Sequence, residues 1–329
     1  MRVLAILCVK DEGVGLLHWL AHHRALGVTD VLAFSNDCSD GTDAMLDRLA
    51  AMGVVEHLRG RDGARGPQWR ALREAAEHPL MAVADWVICI DVDEYVNLRG
   101  RDLAWLAGQA EADCWALTWR MFGSSGLTEW EDRPVTDRFI RCAPNPLHWP
   151  WRCAMIKTLW RRGTYARPGV HRPLEPAGAP VWVDSNGARL PERFVEKGVF
   201  TDFTRSAYGL VQLNHYALGD AESFVVKAAR GRPNRQGNPA DAGYWVERNF
   251  NQVEDASILA HGTPELEDWI ADPELAALRE RAVTWRSTRF AELMREDAWR
   301  DLYTRVVMAG ESRAFSPAEA QAIMAHARG

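Results

Sequence analysis

No C-x-x-C pair occurs in this 329-residue chain; its six cysteines, Cys8, Cys38, Cys89, Cys114, Cys142 and Cys153, are scattered. That pattern excludes a structural zinc ribbon and a compact disulfide framework, and it reads as reduced thiols. An excess of positive charge is also missing. Lys plus Arg number 39 against 45 Asp plus Glu, a formal net charge of -6, so no general pull toward nucleic acid or anionic lipid is expected. No apolar run reaches roughly 18 residues, so no transmembrane segment is expected. There is no internal repeat and no low-complexity segment. What is present is 47% hydrophobic and 26% charged residues, enough to bury a core in one large or two modest domains and to rule out intrinsic disorder. The opening Met1 to Val9 has the look of an export signal, but its apolar run is very short, lacks a small-residue cleavage site and meets Lys10, Asp11 and Glu12 at once. It reads as a buried strand, and the expected localisation is cytoplasmic.

The N-terminal third alternates apolar runs with amphipathic stretches, as parallel strands joined by crossover helices do. Residues 3 to 9 form the first strand. Leu16, Leu17, Trp19, Leu20, Ala21 and Leu26 then recur at helical spacing, with Gly27 as the stop. Val31 to Phe34 starts a second strand, Asp37 to Thr42 is a polar turn, and Met45, Leu46, Leu49 and Met52 mark a helix face before a short strand at Val54 and Val55. Val87 to Ile90 follows as a buried strand that runs into Asp91-Val92-Asp93-Glu94-Tyr95. Trp115 to Trp119 reads as a strand, after which prolines between 144 and 180 predict a loop-rich section. Helical signals return at Glu222 to Ala229, Pro264 to Ile270 and Pro273 to Trp299, and Ser316-Pro317-Ala318-Glu319 is a capping box opening a terminal helix.

Asp91 and Asp93 are the leading candidates for chemistry. Alternation puts both on one side as the strand frays, and two carboxylates beyond a strand end suit Mg²⁺ or Mn²⁺ with phosphate oxygens and water. An acidic, solvated turn after a core strand is the plain alternative. An EF-hand loop is excluded, because Val96 stands where its Gly is required. The turn Ser35 to Thr42 can hold a base or ribose through Asn36 and Asp37, or serve only as a turn and helix cap.

In order, these pieces resemble GT-A glycosyltransferases, and more narrowly their family 2-like and family 92-like branches. The resemblance is carried by Lys10-Asp11-Glu12-Gly13, His18-Trp19-Leu20, Asn36-Asp37 through Thr42, and Ile90 through Tyr95. It continues through Trp119 to Gly126, Lys157, Val170-His171-Arg172-Pro173, Asn214-His215-Tyr216, and Phe224, Lys227, Arg230 and Gly231. It implies an α/β fold with a mixed, Rossmann-like central sheet flanked by helices: a GT-A domain over 1-245 and a helical C-terminal extension over 246-329. It also implies residue roles. Lys10, Glu12, Asn36 and Asp37 would seat the nucleotide, with Asp37 at the base. Asp91 would meet the ribose and, with Asp93 and His215, the Mn²⁺ or Mg²⁺ on the diphosphate. Lys227 and Arg230, three apart on one helix face, would neutralise that diphosphate. A lone histidine beside Asn and Tyr, such as His215, is otherwise hydrogen-bonded structure.

An inverting displacement needs a base for the acceptor hydroxyl. Glu129 and Asp132 are the expected pair, with Asp137 and Asp184 as further options, against the alternative of exposed loop carboxylates. His18 and His22 are four apart on a helix, but the Glu of H-E-x-x-H is absent, so they are assigned to packing and surface. Among the 15 tryptophans, Trp130, Trp149 and Trp151 are candidates for stacking on a sugar, while Trp19, Trp86, Trp115 and Trp119 read as core. Phe122 to Gly126 offers small residues and amides for close approach of a sugar, or a strand-exit turn.

Cys38 and the Lys-Asp-Glu opening depart from the family pattern without removing a metal ligand. Family 92-like relatives are often membrane-anchored; this chain starts at its first strand, so the expectation is a soluble enzyme acting on a diffusible or membrane-associated acceptor. The expected partners are a nucleotide-sugar donor, UDP favoured, and a hydroxyl acceptor of a glycan or surface polysaccharide. Peripheral membrane association is compatible with this, and nucleic acid is not a partner. Two rivals are a non-catalytic nucleotide-sugar-binding module and a glycoside hydrolase using Asp93 and Glu94. The second has poor geometry, since adjacent strand residues face opposite ways.

Overall fold

The computed structural model describes residues 1–60, 66–231 and 241–327. Its first strand, β1 (Val3–Val9), buries every residue but Cys8, which is half-buried, as expected of a strand covered on both faces. Helix α1 (Gly13–Ala25) lays Leu16, Leu17, Trp19 and Leu20 on the sheet. It stops in a Schellman turn: Gly27 takes φ 98°, its amide bonds Arg24 O, and Val28 N bonds His23 O at 3.0 Å.

The same device explains one misplaced element. After β2 (Asp30–Ser35), helix α2 (Thr42–Ala51) ends with Gly53 at φ 73° and Val54 N on Leu49 O. Val54 and Val55 therefore complete the helix cap, and the strand expected there begins later, as β3 (Glu56–Arg59). Met52, expected on the buried helix face, sits at the C-cap and is exposed.

Helix α3 (Pro67–Glu77) and strands β4 (Trp86–Cys89), β5 (Glu94–Asn97), β6 (Cys114–Met121), β7 (Ile156–Arg161), β8 (Trp182–Val183) and β9 (Gln212–His215) complete the sheet. The strand order is β3-β2-β1-β4-β7-β6-β9-β5, with β8 alongside β6. The first four are parallel, β7 is antiparallel to both β4 and β6, β9 is parallel to β6, and β5 is antiparallel to β9. The α/β class and the mixed central sheet flanked by helices are those expected. The region expected to be loop-rich nevertheless supplies β7 and β9 to the middle of the sheet. Their polar residues, Lys157, Gln212 and Asn214, are buried on partners that no local pattern announces.

Alternate residues of β1 serve two cores. Val3, Ala5 and Leu7 face α1 and α2, whereas Leu4 and Ile6 face Ala71, Leu72 and Ala75 of α3. The C-terminal third of the chain carries α4 (Ala221–Ala229), α5 (Ala242–Val246), α6 (Pro264–Ala271), α7 (Pro273–Leu293), α8 (Asp297–Ala309) and α9 (Pro317–Ala327). The single helix expected over 273 to 299 is thus two. Leu293 is buried against Val225 and Val226 of α4, and the chain turns at Met294 so that α8 folds back over α4 and α5. No Gly or Pro marks that bend. Trp269, Leu275, Leu278 and Ala282 join the core under α1, so the C-terminal helices and the sheet share one hydrophobic interior.

Helix α4 is anchored by a buried charge cluster. Asp220, with no solvent exposure, caps α4 through Ser223 N (2.7 Å) and pairs with Arg138 (2.7 Å) and Arg286 (3.5 Å). Removing one partner from a buried ion cluster strands the remaining charge. Asp220→Ala should therefore lower stability by about 3–5 kcal/mol in urea unfolding. A loss under about 1 kcal/mol would show that the two arginines find water instead.

Candidate active site

Two loops at the carboxyl ends of β1 and β2 are tied together before any ligand is considered. Asp11 Oδ1 accepts from Ser39 N (2.6 Å) and Ser39 Oγ, Thr42 Oγ1 accepts from Glu12 N (2.9 Å), and Asp40 Oδ2 accepts from Gly13 N (2.8 Å). The second loop thereby caps α1, which has no side-chain cap of its own. Asp11 and Asp37 adopt φ 49° and 47°, a left-handed conformation that Asp tolerates better than most residues. Gly13 is required where it stands, because a Cβ there would lie 2.9 Å from Ala282 Cβ of α7.

The acidic segment is a turn, not the end of an alternating strand. β4 stops at Cys89, and Glu94 N bonds Asp91 O at 3.0 Å. The turn is pinned from inside by Glu94, whose carboxylate accepts from Trp119 Nε1 (2.7 Å) and Asp91 N (2.8 Å) and faces Lys157 Nζ at 3.3 Å. Lys157, equally buried, reaches Asp91 Oδ2 at 2.9 Å. Burial pushes the Glu94 carboxyl up to about 8 against the pull of Lys157. Burial alone would lower Lys157, but Asp91 and Glu94 hold it above its ordinary value. Glu94 therefore points into the protein and does not face a substrate, which removes the carboxylate pair a glycoside hydrolase would need.

Asp93 points the other way. Its Oδ2 pairs with Lys227 of α4 and lies 3.7 Å from His215 Nε2 at the end of β9. Burial by itself would raise Asp93, but Lys227 and His215 hold it well below the carboxylate range. Burial lowers His215, although Asp93 opposes the shift. Arg230, on the same face of α4, donates to the carbonyls of Lys10 (2.6 Å) and Asp11 (3.1 Å) and pairs with Glu12, so it braces the first loop as well as lining the site.

These groups border a cavity of about 760 Å³. It brings together the predicted Lys10, Glu12, Asn36, Asp37, Asp91, Asp93, His215, Lys227 and Arg230. It does not include Glu129 or Asp132. Glu129 is exposed, and Asp132 borders a neighbouring cavity with both oxygens held by Arg279 (3.0 and 2.5 Å). Asp184 is spent on the amides of Asn186 and Ala188. Phe122 to Gly126 also lies elsewhere, with the Ser124 and Ser125 amides taken by Asn249 and Asn251. Trp119, read as core, is buried in the core and also forms part of the cavity wall, packed 4.2 Å from the His215 ring. Lys157 and His171 were legible only as members of the resemblance, and Arg152 and Arg248 carried no signal at all.

The donor set suits a small divalent cation in part. Asp93 Oδ2 and His215 Nε2, 3.7 Å apart, can share an ion whose own bonds are about 2.0–2.1 Å, and the buried Nδ1 of His215 lacks a partner among the described residues. Those residues assemble no group of three ligating side chains. An ion held here would complete its shell with phosphate oxygens and water.

No protein-family model matches the sequence, and no curated protein matches it. Among solved structures, the chain is similar to S. aureus TarS 1-349 in complex with UDP-GlcNAc at 15% identity and TM-score 0.33, covering 50% of this chain and 46% of that one. The chain thus spans about half the length of that neighbour. Another structure of S. aureus TarS 1-349 matches at 11% identity and TM-score 0.33 over 94% of this chain and 89% of that chain. A putative glucose-1-phosphate thymidylyltransferase from Bacillus anthracis in complex with a sucrose matches at 10% identity and TM-score 0.32, covering 50% and 73%. No helix among the described residues is long and apolar enough to cross a membrane.

The depressed Asp93 carboxyl makes stability depend on pH in a definite direction. Its ion pair contributes fully above the ordinary Asp value of about 3.9 and is lost as pH falls toward the lower folded value. Asp93→Asn should therefore melt below the parent at neutral pH, with the two melting curves converging under about pH 4. A gap that does not change with pH would mean that the pair adds nothing.

Proposed function

We propose that this protein is a glycosyltransferase that moves a sugar from a nucleotide-diphosphate donor to a hydroxyl of a glycan or surface polysaccharide, with inversion. One observation carries the reading. A single cavity joins the Lys10, Asn36 and Asp37 end, suited to a nucleoside, to a centre where Asp91, Asp93, His215 and Lys227 meet. UDP is favoured by the family resemblance alone.

Breaking the glycosyl–diphosphate bond leaves negative charge on the departing nucleotide. Groups that stabilise this charge as it develops lower the barrier. Lys227 can supply part of that stabilisation, since it already stands at the site as a part-buried cation paired with Asp93. Mn²⁺ or Mg²⁺ at Asp93 and His215, beside Asp91, would act as a Lewis acid on the diphosphate. The acceptor oxygen forms the new bond to the anomeric carbon as the bond to phosphate breaks, and its proton needs a base.

Every carboxylate near the cavity centre is already matched to a cation: Glu12 to Arg230, Asp91 to Lys157, Asp93 to Lys227. His171 offers an alternative to the expected Glu129 and Asp132. Its Nδ1 lies 3.1 Å from Ile156 O, which fixes the tautomer so that Nε2 keeps its lone pair, and the ring lines the cavity edge-on to Trp119. Burial, with Lys157 adding to it, pushes His171 down to about 4, so the ring is neutral at physiological pH and its Nε2 carries no proton.

The test is nucleotide release from UDP-, GDP- and CMP-sugars with and without Mn²⁺. Release dependent on metal and abolished in Asp93→Ala is expected. Donor binding without release under any acceptor would instead make the chain a nucleotide-sugar-binding module, and no binding at all would end the proposal. His171→Gln should bind the donor as the parent does while losing roughly 10²-fold or more in turnover. An unchanged rate would return the base to another residue.

A further inference from the structure

The end of the cavity away from Asn36 and Asp37 has a different character. Trp151, Arg152, Phe200, Tyr244 and Arg248 line it. Trp151 is 38% exposed and stands edge-to-face on Phe200, with centroids 4.6 Å apart. Arg248 lies 3.7 Å over the Tyr244 ring. Arg152 and Arg248 converge on one carboxylate, Glu247 Oε2, at 3.3 and 3.2 Å. Two guanidiniums against one carboxylate leave a surplus positive charge. The buried Nε of Arg248 has no hydrogen-bond partner among the described residues.

Taking the proposed glycosyl transfer as its premise, we infer that this end is an acceptor subsite for a pyranose bearing a carboxylate or phosphate. Aromatic surface suits the apolar face of a sugar ring. Guanidinium N–H groups recognise planar or tetrahedral oxyanions with two parallel bonds, which an ammonium or a neutral hydroxyl does not match. A neutral sugar would leave the surplus charge without a counter-ion. An anionic one supplies the missing counter-charge. Placement agrees with the chemistry: Arg248 and Arg152 line the same cavity as His215 and Asp93, so an anion held here keeps its sugar in the cavity of the reacting centre.

Saturation-transfer NMR on the full chain in the presence of UDP tests this with three probes: glucuronate, glucose 6-phosphate and glucose. The expected result is transfer to one or both anionic sugars and little to glucose. Arg152→Ala and Arg248→Gln should each weaken that binding by about tenfold or more, with UDP affinity unchanged. Arg152 is half-exposed, so its replacement gives a readout even if the Arg248 variant does not fold. Equal binding of glucose and glucuronate, or full binding in Arg152→Ala, overturns the inference. Loss of UDP affinity in either variant also overturns it, because the arginines would then serve the donor diphosphate. Absence of UDP binding in the parent protein is a separate result that strikes the transferase reading itself.

Discussion

The ammonium of Lys157, fully buried, sits between the carboxylates of Asp91 and Glu94, and the arrangement of the whole site follows from that placement. A charge taken out of water is tolerated only with close partners and satisfied hydrogen bonds. Here the partners sit on three different strands or their ends. Lys157 comes from β7, Asp91 from the turn after β4 and Glu94 from the start of β5, while Trp119 of β6 donates to Glu94. Any slip in strand register would separate them, so the cluster selects one sheet arrangement. It also turns Glu94 inward, and the reversal at the turn faces Asp93 outward toward α4.

A second buried charge cluster does the same for the helical side. Asp220 caps α4 and holds Arg138 and Arg286, which come from segments far apart in the chain. It sets the start of the helix whose last turns present Lys227 and Arg230. Arg286 belongs to α7, so the C-terminal helices support the site although none of them brings a residue to the acidic turn. Arg48 of α2 reinforces the same packing by pairing with Asp272, the N-cap of α7, at 2.5 Å. Ion pairs thus help fix sheet register at the site itself and helix position behind it.

Much of the N-terminal half was legible because its signals are local. The apolar run of β1, the periodicity of α1, Gly27 as its stop and the Asp40-Gly41-Thr42 turn each depend on neighbours within a few residues. Nine site residues, Asp91 and Asp93 picked out by type and spacing and most of the others by the family resemblance, meet in one cavity. The misses share a cause. Val54 and Val55 looked like a strand because apolar content does not reveal that an amide is spent on a helix cap. β7 was hidden because Lys157 breaks its hydrophobic pattern, and the expected bases Glu129 and Asp132 were chosen because they follow Phe122 to Gly126, a segment that itself lies away from the cavity.

What the sequence determined by itself was the layout: an α/β chain, the order of its first strands and helices, and an acidic turn with basic partners downstream. Tertiary structure alone decided which of those charges neutralise one another and which face the cavity. The reason is physical. Secondary structure follows from interactions over one or two turns of chain, whereas the state of a buried charge depends on groups brought within a few ångströms from more than a hundred positions away, 134 for Asp93 and Lys227 and 220 for Lys10 and Arg230.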